Sequence, residues 1–153
     1  MSTPTNIIDL SQRPPRSPRV RLGGYVLLPR ILDKARASAA GKLGEYHYSG
    51  KGMDRHFFNF VGLDHESLAK ELEKGGSYGE ILAWVHGNAK HQRQPWEIIA
   101  WSEYHLRRVP DSDNETLLEF ADSVKKFSAT REDINTWFDL LDLDDYCTFG
   151  GKP

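Results

Sequence analysis

Three times in its second half the chain repeats one short cassette, an acidic residue followed by isoleucine, with tryptophan three residues after the isoleucine. The copies are Glu80-Ile81-Leu82-Ala83-Trp84, Glu97-Ile98-Ile99-Ala100-Trp101 and Asp133-Ile134-Asn135-Thr136-Trp137. A step of three residues puts Ile and Trp on one side of a helix, while an acid near the third helical position favours the positive end of the helix dipole. Each copy follows a start signal: Ser77 three residues before Glu80, Pro95 two before Glu97, and Thr130 three before Asp133. A Ser or Thr there completes a capping box, and a proline fits the first turn. The cassettes therefore predict three helices, with Ile81, Ile98, Ile134 and Trp137 buried in one core. Their spacing is too irregular for a solenoid.

Helical signals continue toward the front. Leu28, Ile31, Leu32, Ala35 and Ala39 recur at helical spacing, with Pro29 in a first turn and Gly41 past the end. Asp54 starts a short helix carrying Phe57, Phe58 and Val61 and closed by Gly62, and Asp64 opens another that Gly75 stops. A further helix is expected between Asp113 and Phe127, with Leu117, Phe120, Ala121 and Val124 turned inward. Between these lies GEYHYSGKG, a glycine-bounded loop or short extended piece. The expected fold is all-α, a compact orthogonal helical bundle with an irregular N-terminal arm. Residues 1–22 form an Arg/Pro-rich arm packed on the domain, 23–147 a single helical domain and 148–153 a tail.

At 153 residues and 39% hydrophobic content, one core is what the chain can close. No apolar run reaches the roughly 18 residues of a membrane span. MSTPTNIIDL lacks the order of a secretory signal, so a cytoplasmic location is expected and no membrane partner. The lone cysteine, Cys147, excludes an internal disulfide and a cysteine-based zinc frame.

The net charge of −2 conceals a strong segregation. Residues 1–36 hold seven basic groups against two acidic ones, and residues 111–153 hold four against eleven. Either the basic front packs across the acidic back within one fold, or the arginines face a ligand and the acidic surface is solvated. QRPPRSPRVRLGGYVLLPRILDKARA sets its arginines around prolines that fix φ and a Gly23-Gly24 pair that lets other groups approach the backbone. Guanidinium forks match carboxylate and phosphate oxygens in pairs, and a helix N-terminus adds N–H donors. Arg16, Arg19, Arg21 and Arg30, with Gly23 and Gly24, are therefore the candidate site for a small anionic ligand.

His47 is the acid/base candidate, set between Tyr46 and Tyr48 and two residues from Glu45. A lone His among aromatics also serves as a packed residue. Tyr25, directly after the glycines, either donates to a ligand oxygen or staples the first helix. His47, His56 and His65 recur every nine residues and His86 and His91 lie five apart, spacings that place no two imidazoles on one helical turn, so no metal is expected. LGGY lacks the order of a dinucleotide motif, and no cofactor is expected.

RSPRVRLGGYVLLPRILDKARA, then GEYHY, MDRHFFNFVG and GEILAW, together resemble a bacterial family catalogued as a domain of unknown function, family five-zero-six-nine. The resemblance covers nearly the whole chain. The matching residues are Arg16, Pro18, Arg19, Gly23, Gly24, Pro29, Arg30, Asp33, Lys34, Arg36, Gly44, Tyr46 and His47. It implies a small, stand-alone bacterial protein and supplies no catalytic roles.

Two function classes follow. One is a cytoplasmic protein that binds a small carboxylate or phosphate metabolite through the Arg cluster, extending to metal-independent acid/base catalysis by His47 or Tyr25. The other is a non-catalytic interaction module whose Arg/Pro arm docks an acidic partner or the acidic tail of a second copy, a homo-oligomer. Nucleic acid is not expected as a partner, because the net charge is slightly negative and the aromatics fall on predicted core faces.

Overall fold

A computed structural model describes residues 7–110 and 114–153. Among them the chain is all-α, and its helices run in the order α1 (Leu28–Ala39), α2 (Asp54–Val61), α3 (His65–Glu73), α4 (Tyr78–Asn88), α5 (Pro95–Arg107), α6 (Asn114–Phe127) and α7 (Trp137–Thr148). The start expected at Asp113 and the first six residues of the arm lie outside the described residues.

The boundaries follow the capping chemistry. Asp64 and Ser77 accept from the amides of Ser67 and Glu80, and Gln94 forms a capping box with Glu97 ahead of Pro95. Gly62 ends α2 at φ 70°, the left-handed conformation that glycine adopts without Cβ strain. The third cassette behaves differently from the first two. Asp133 pairs with Arg131 outside any helix, and α7 begins four residues after it, at Trp137. Thr136 is its cap, boxed with Asp139. The competing box Thr136-x-x-Asp139 won because it precedes the apolar run of Phe138, Leu140 and Leu143. Ile134 is only partly buried, and so is Trp137.

The core gathers Val26, Ile31, Leu32 and Ala35 from the start and inner face of α1, Phe57, Phe58 and Val61 from α2, Leu68 and Leu72 from α3, Ile81 and Val85 from α4, Ile98 from α5, and Phe138 from α7. α1 packs on α3 and α3 on α4, whereas α6 leans on α7. α6 buries Phe120 but leaves Leu117, Leu118 and Ala121 exposed, so the expected inward face is only partly used.

The arm reaches the bundle through a tight turn. Leu22 and Tyr25 exchange both backbone hydrogen bonds at 3.0 Å around Gly23 and Gly24, which sit at φ 59° and 87°. Leu27 follows at φ 69°, a strained conformation for a fully buried leucine, held by its N–H donating to Pro18 carbonyl at 2.9 Å.

Candidate functional site

α1 has apolar side chains packed into the core and charged ones on its remaining faces, yet Arg30 and Asp33 are buried as deeply as its leucines. Burial arises because the arm crosses one side of the helix and α7 the other. A charge removed from water costs several kcal/mol unless a partner meets it. Arg30, Asp33 and Lys34 each have one. Arg30 grips Asp145 of α7 with both prongs, at 2.7 and 3.1 Å, and the Tyr46 hydroxyl donates to the same carboxylate at 2.7 Å. Asp33 receives Arg16 Nε and Nη2 at 3.0 and 2.9 Å and the Arg16 backbone N–H at 2.9 Å. Lys34 meets Asp54 of α2 at 2.5 Å. Arg16 and Arg36 both lie over the Tyr78 ring, at 5.2 and 5.6 Å from its centre.

Arg19 and Arg21, both exposed, are engaged too. Arg19 reaches Asp142 at 3.0 Å and also bonds Asp139, both on α7, and Ser17 donates to Asp142 at 2.8 Å. Arg21 bonds Glu103 of α5 at 2.7 Å. The basic front of the chain is thus laid against its acidic back.

These contacts set the protonation states. Burial opposes the charge of Arg30, but the hydrogen bonds and charge of Asp145 outweigh it and leave the guanidinium's pKa above its ordinary value. Burial opposes Arg16 in the same way and Asp33 overcomes it. For Tyr46, burial and then the bond to Asp145 push the phenol far up, fixing it as a donor. A carboxylate already fills each fork. An incoming anion at Arg16, Arg19, Arg21 or Arg30 therefore has to displace an internal one.

Gly23 and Gly24 make the turn, and their Cα atoms face side chains of Leu82 and Ile98. Tyr25 is buried amid Phe57, Phe60, His86 and Trp101, ring centres 5.3 to 6.3 Å away, and burial raises its pKa. His47 is exposed on the loop after α1. Among the described residues no hydrogen bond, ion pair or ring contact joins it to Tyr25 or to the arginines, so the sequence candidates for acid/base work stand in separate surroundings. No cluster of three or more His, Cys, Asp or Glu side chains that could hold a metal occurs among the described residues.

Sequence reasoning missed Asp145, Asp142 and Asp54 as individual partners, although the acid excess of α7 was the available signal. It also missed a histidine pair, the partly buried His56 of α2 and the buried His105 of α5, whose ring centres lie 4.9 Å apart. Burial, then the nearby charges of His56 and Arg108, lower the His105 pKa to about 4. Finally, it placed the aromatics of α5 inward, whereas the helix is apolar on both sides. Ile98, Ser102 and His105 face the core, while Trp96 is 71% exposed, Tyr104 58% and Ile99 54%. Beside this outer stripe an open groove of about 730 Å³ runs along Ala100, Tyr104, Val109, Pro110 and Leu117, edged by Arg107.

The fold and its clasped charges define an all-α protein whose polar motif is spent on internal pairing. Residues 12–147 match the family described as Domain of unknown function (DUF5069), and the chain belongs to that family. The matched span contains every ion pair of α1 and the whole of α5. No curated protein matches the chain.

Proposed function

We propose that the protein is a non-catalytic interaction module whose contact surface is the outer face of α5 with the adjoining groove. The observation that carries this reading is the exposed run of Trp96, Ile99 and Tyr104 on one well-formed helix, continuous with apolar Val109 and Leu117. Contiguous apolar patches mark contact sites, and Trp and Tyr dominate contact energies. The Arg/Pro arm acts as an internal clasp in this reading, since its acidic partner is α7 of the same chain.

An anion-binding enzyme is the competing reading, with Arg16, Arg19, Arg21 and Arg30 as ligands and His47 or Tyr25 moving a proton. It needs those forks vacated. Thermal unfolding with phosphate, sulfate and small dicarboxylates separates the two, because a ligand held by the native state raises stability by about 2.7 kcal/mol at a hundredfold excess over Kd. No shift is expected. A rise in midpoint that Arg19→Lys abolishes would favour the anion site instead. Immobilised wild type is expected to retain a binding protein that Ile99→Glu loses, and equal retention by both would remove α5 as the surface.

A further inference from the structure

The exposed stripe of α5 is chemically asymmetric along its length. Trp96, Ile99 and Ala100 occupy its N-terminal half, and Glu103, Tyr104 and Arg107 its C-terminal half. We propose that the occupant of this face is a second copy of the same chain, with the two α5 helices packed antiparallel about a two-fold axis level with the Trp101–Ser102 peptide. The proposal rests on the reading of α5 as the contact surface and names its partner.

An antiparallel pairing with that axis brings residues equidistant from it to the same height. Trp96 stands level with Arg107 of the second copy, Ile99 with Tyr104, and Ala100 with Glu103. The Arg107 side chain is 84% exposed and its Nη2 lies 3.7 Å from Glu103, an exposed pair of little strength. Its guanidinium is thus available to lie on the indole of the second copy, a cation on a π face. Ala100, beside the axis, lets the two backbones approach. Parallel packing does the opposite, setting Arg107 against Arg107 and two like charges at one contact. Charge therefore selects the antiparallel arrangement, and the two-fold makes every favourable contact twice. Leu117 and Val109, along the same groove, flank the helix pair and extend its apolar area.

Equilibrium sedimentation of the full chain from about 1 to 100 μM tests this, the range in which a modest interface dissociates. A reversible monomer–dimer equilibrium is expected. Ile99→Glu and Trp96→Arg should each weaken it by about tenfold or more, the latter by setting Arg against Arg. Trp96→Arg combined with Arg107→Trp re-creates the cation–π pair with its members exchanged and should restore dimerisation to within about threefold of wild type. All three positions are exposed, and an unchanged melting midpoint at low protein concentration certifies each variant as folded. A wild type that stays monomeric throughout overturns the second-copy proposal while leaving the module reading to its own capture experiment. A dimer indifferent to Ile99→Glu forms elsewhere on the molecule and overturns the α5 pairing. Loss with Trp96→Arg and no rescue by the double variant overturns the antiparallel register.

Discussion

α1 and α5 invert the usual arrangement of a helix in opposite ways. α1 buries Arg30 and Asp33 between the arm and α7, whereas α5 holds Trp96, Ile99 and Tyr104 out in water. The contrast shows where the polar motif is spent and where surplus apolar surface lies. Arg30, Asp33 and Lys34 in α1 are satisfied from within the chain, so their chemistry is consumed by folding. Apolar side chains in α5 are unsatisfied by the chain, so their chemistry remains available. A motif rich in arginine therefore need not be the working surface, and a helix outside that motif can be.

The strongest way to break this comparison is to unpair α1. Asp145→Ala leaves Arg30 buried without a counter-charge and Tyr46 without its acceptor. We expect a loss of about 3–5 kcal/mol by chemical denaturation. A change below about 1 kcal/mol would mean that the Arg30 fork is not clamped, and the anion-site reading would regain its ground.

Acid should act next most strongly, through the inner face of α5. His105 is buried against Trp101, Tyr104 and His56, and its pKa is lowered to about 4 from 6.5. A histidine held neutral in the fold contributes its stability fully above the unfolded value. That contribution is lost as pH falls from about 6.5 toward 4, because the unfolded chain takes up a proton that the native chain refuses. The decline from this residue should be about 3 kcal/mol at most. A pH series of denaturation midpoints reads it, and His105→Phe should flatten the curve in that window. An equally steep decline in the variant would assign the acid sensitivity to other groups.

Arg19→Ala tests the exposed end of the clasp. Its side chain is 40% exposed, and so is that of Asp142 nearly, so solvent screens the pair and the cost should stay within about 1 kcal/mol. A larger loss would make the arm's exposed contacts as structural as its buried ones. The smallest effect belongs to the outer face of α5. Tyr104→Ala should change monomer stability by no more than about 0.5 kcal/mol, measured at low protein concentration. A larger cost would show that the stripe packs within its own chain after all.

Much of this architecture was legible locally. Ser77, Asp64, Gly62 and the Gln94 to Glu97 segment mark their helix ends because caps satisfy amides and carbonyls a few residues away. The third cassette misled because two capping solutions, Thr130 to Asp133 and Thr136 to Asp139, compete within one segment. Only packing of Phe138 and Leu143 chooses between them. α6 misled for a related reason: its Leu117 to Val124 stripe has helical periodicity, but periodicity does not supply a neighbour to cover it. For the candidate site, the arginines were visible and their fate was not. Asp145 lies 115 residues from Arg30 and Asp142 lies 123 from Arg19.

The sequence by itself determined an all-α chain, the start of most helices, and the segregation of a basic front from an acidic back. These are consequences of short-range hydrogen bonding, side-chain periodicity and net charge, which act without knowledge of the fold. Only the tertiary structure decided which carboxylate fills each guanidinium fork, that Tyr25 and His47 stand in separate surroundings, and that the described residues leave one side of α5 uncovered. Each of those outcomes depends on contacts between segments far apart in the chain, where burial sets the cost of an unpaired charge and the available neighbours set which face of a helix stays in water.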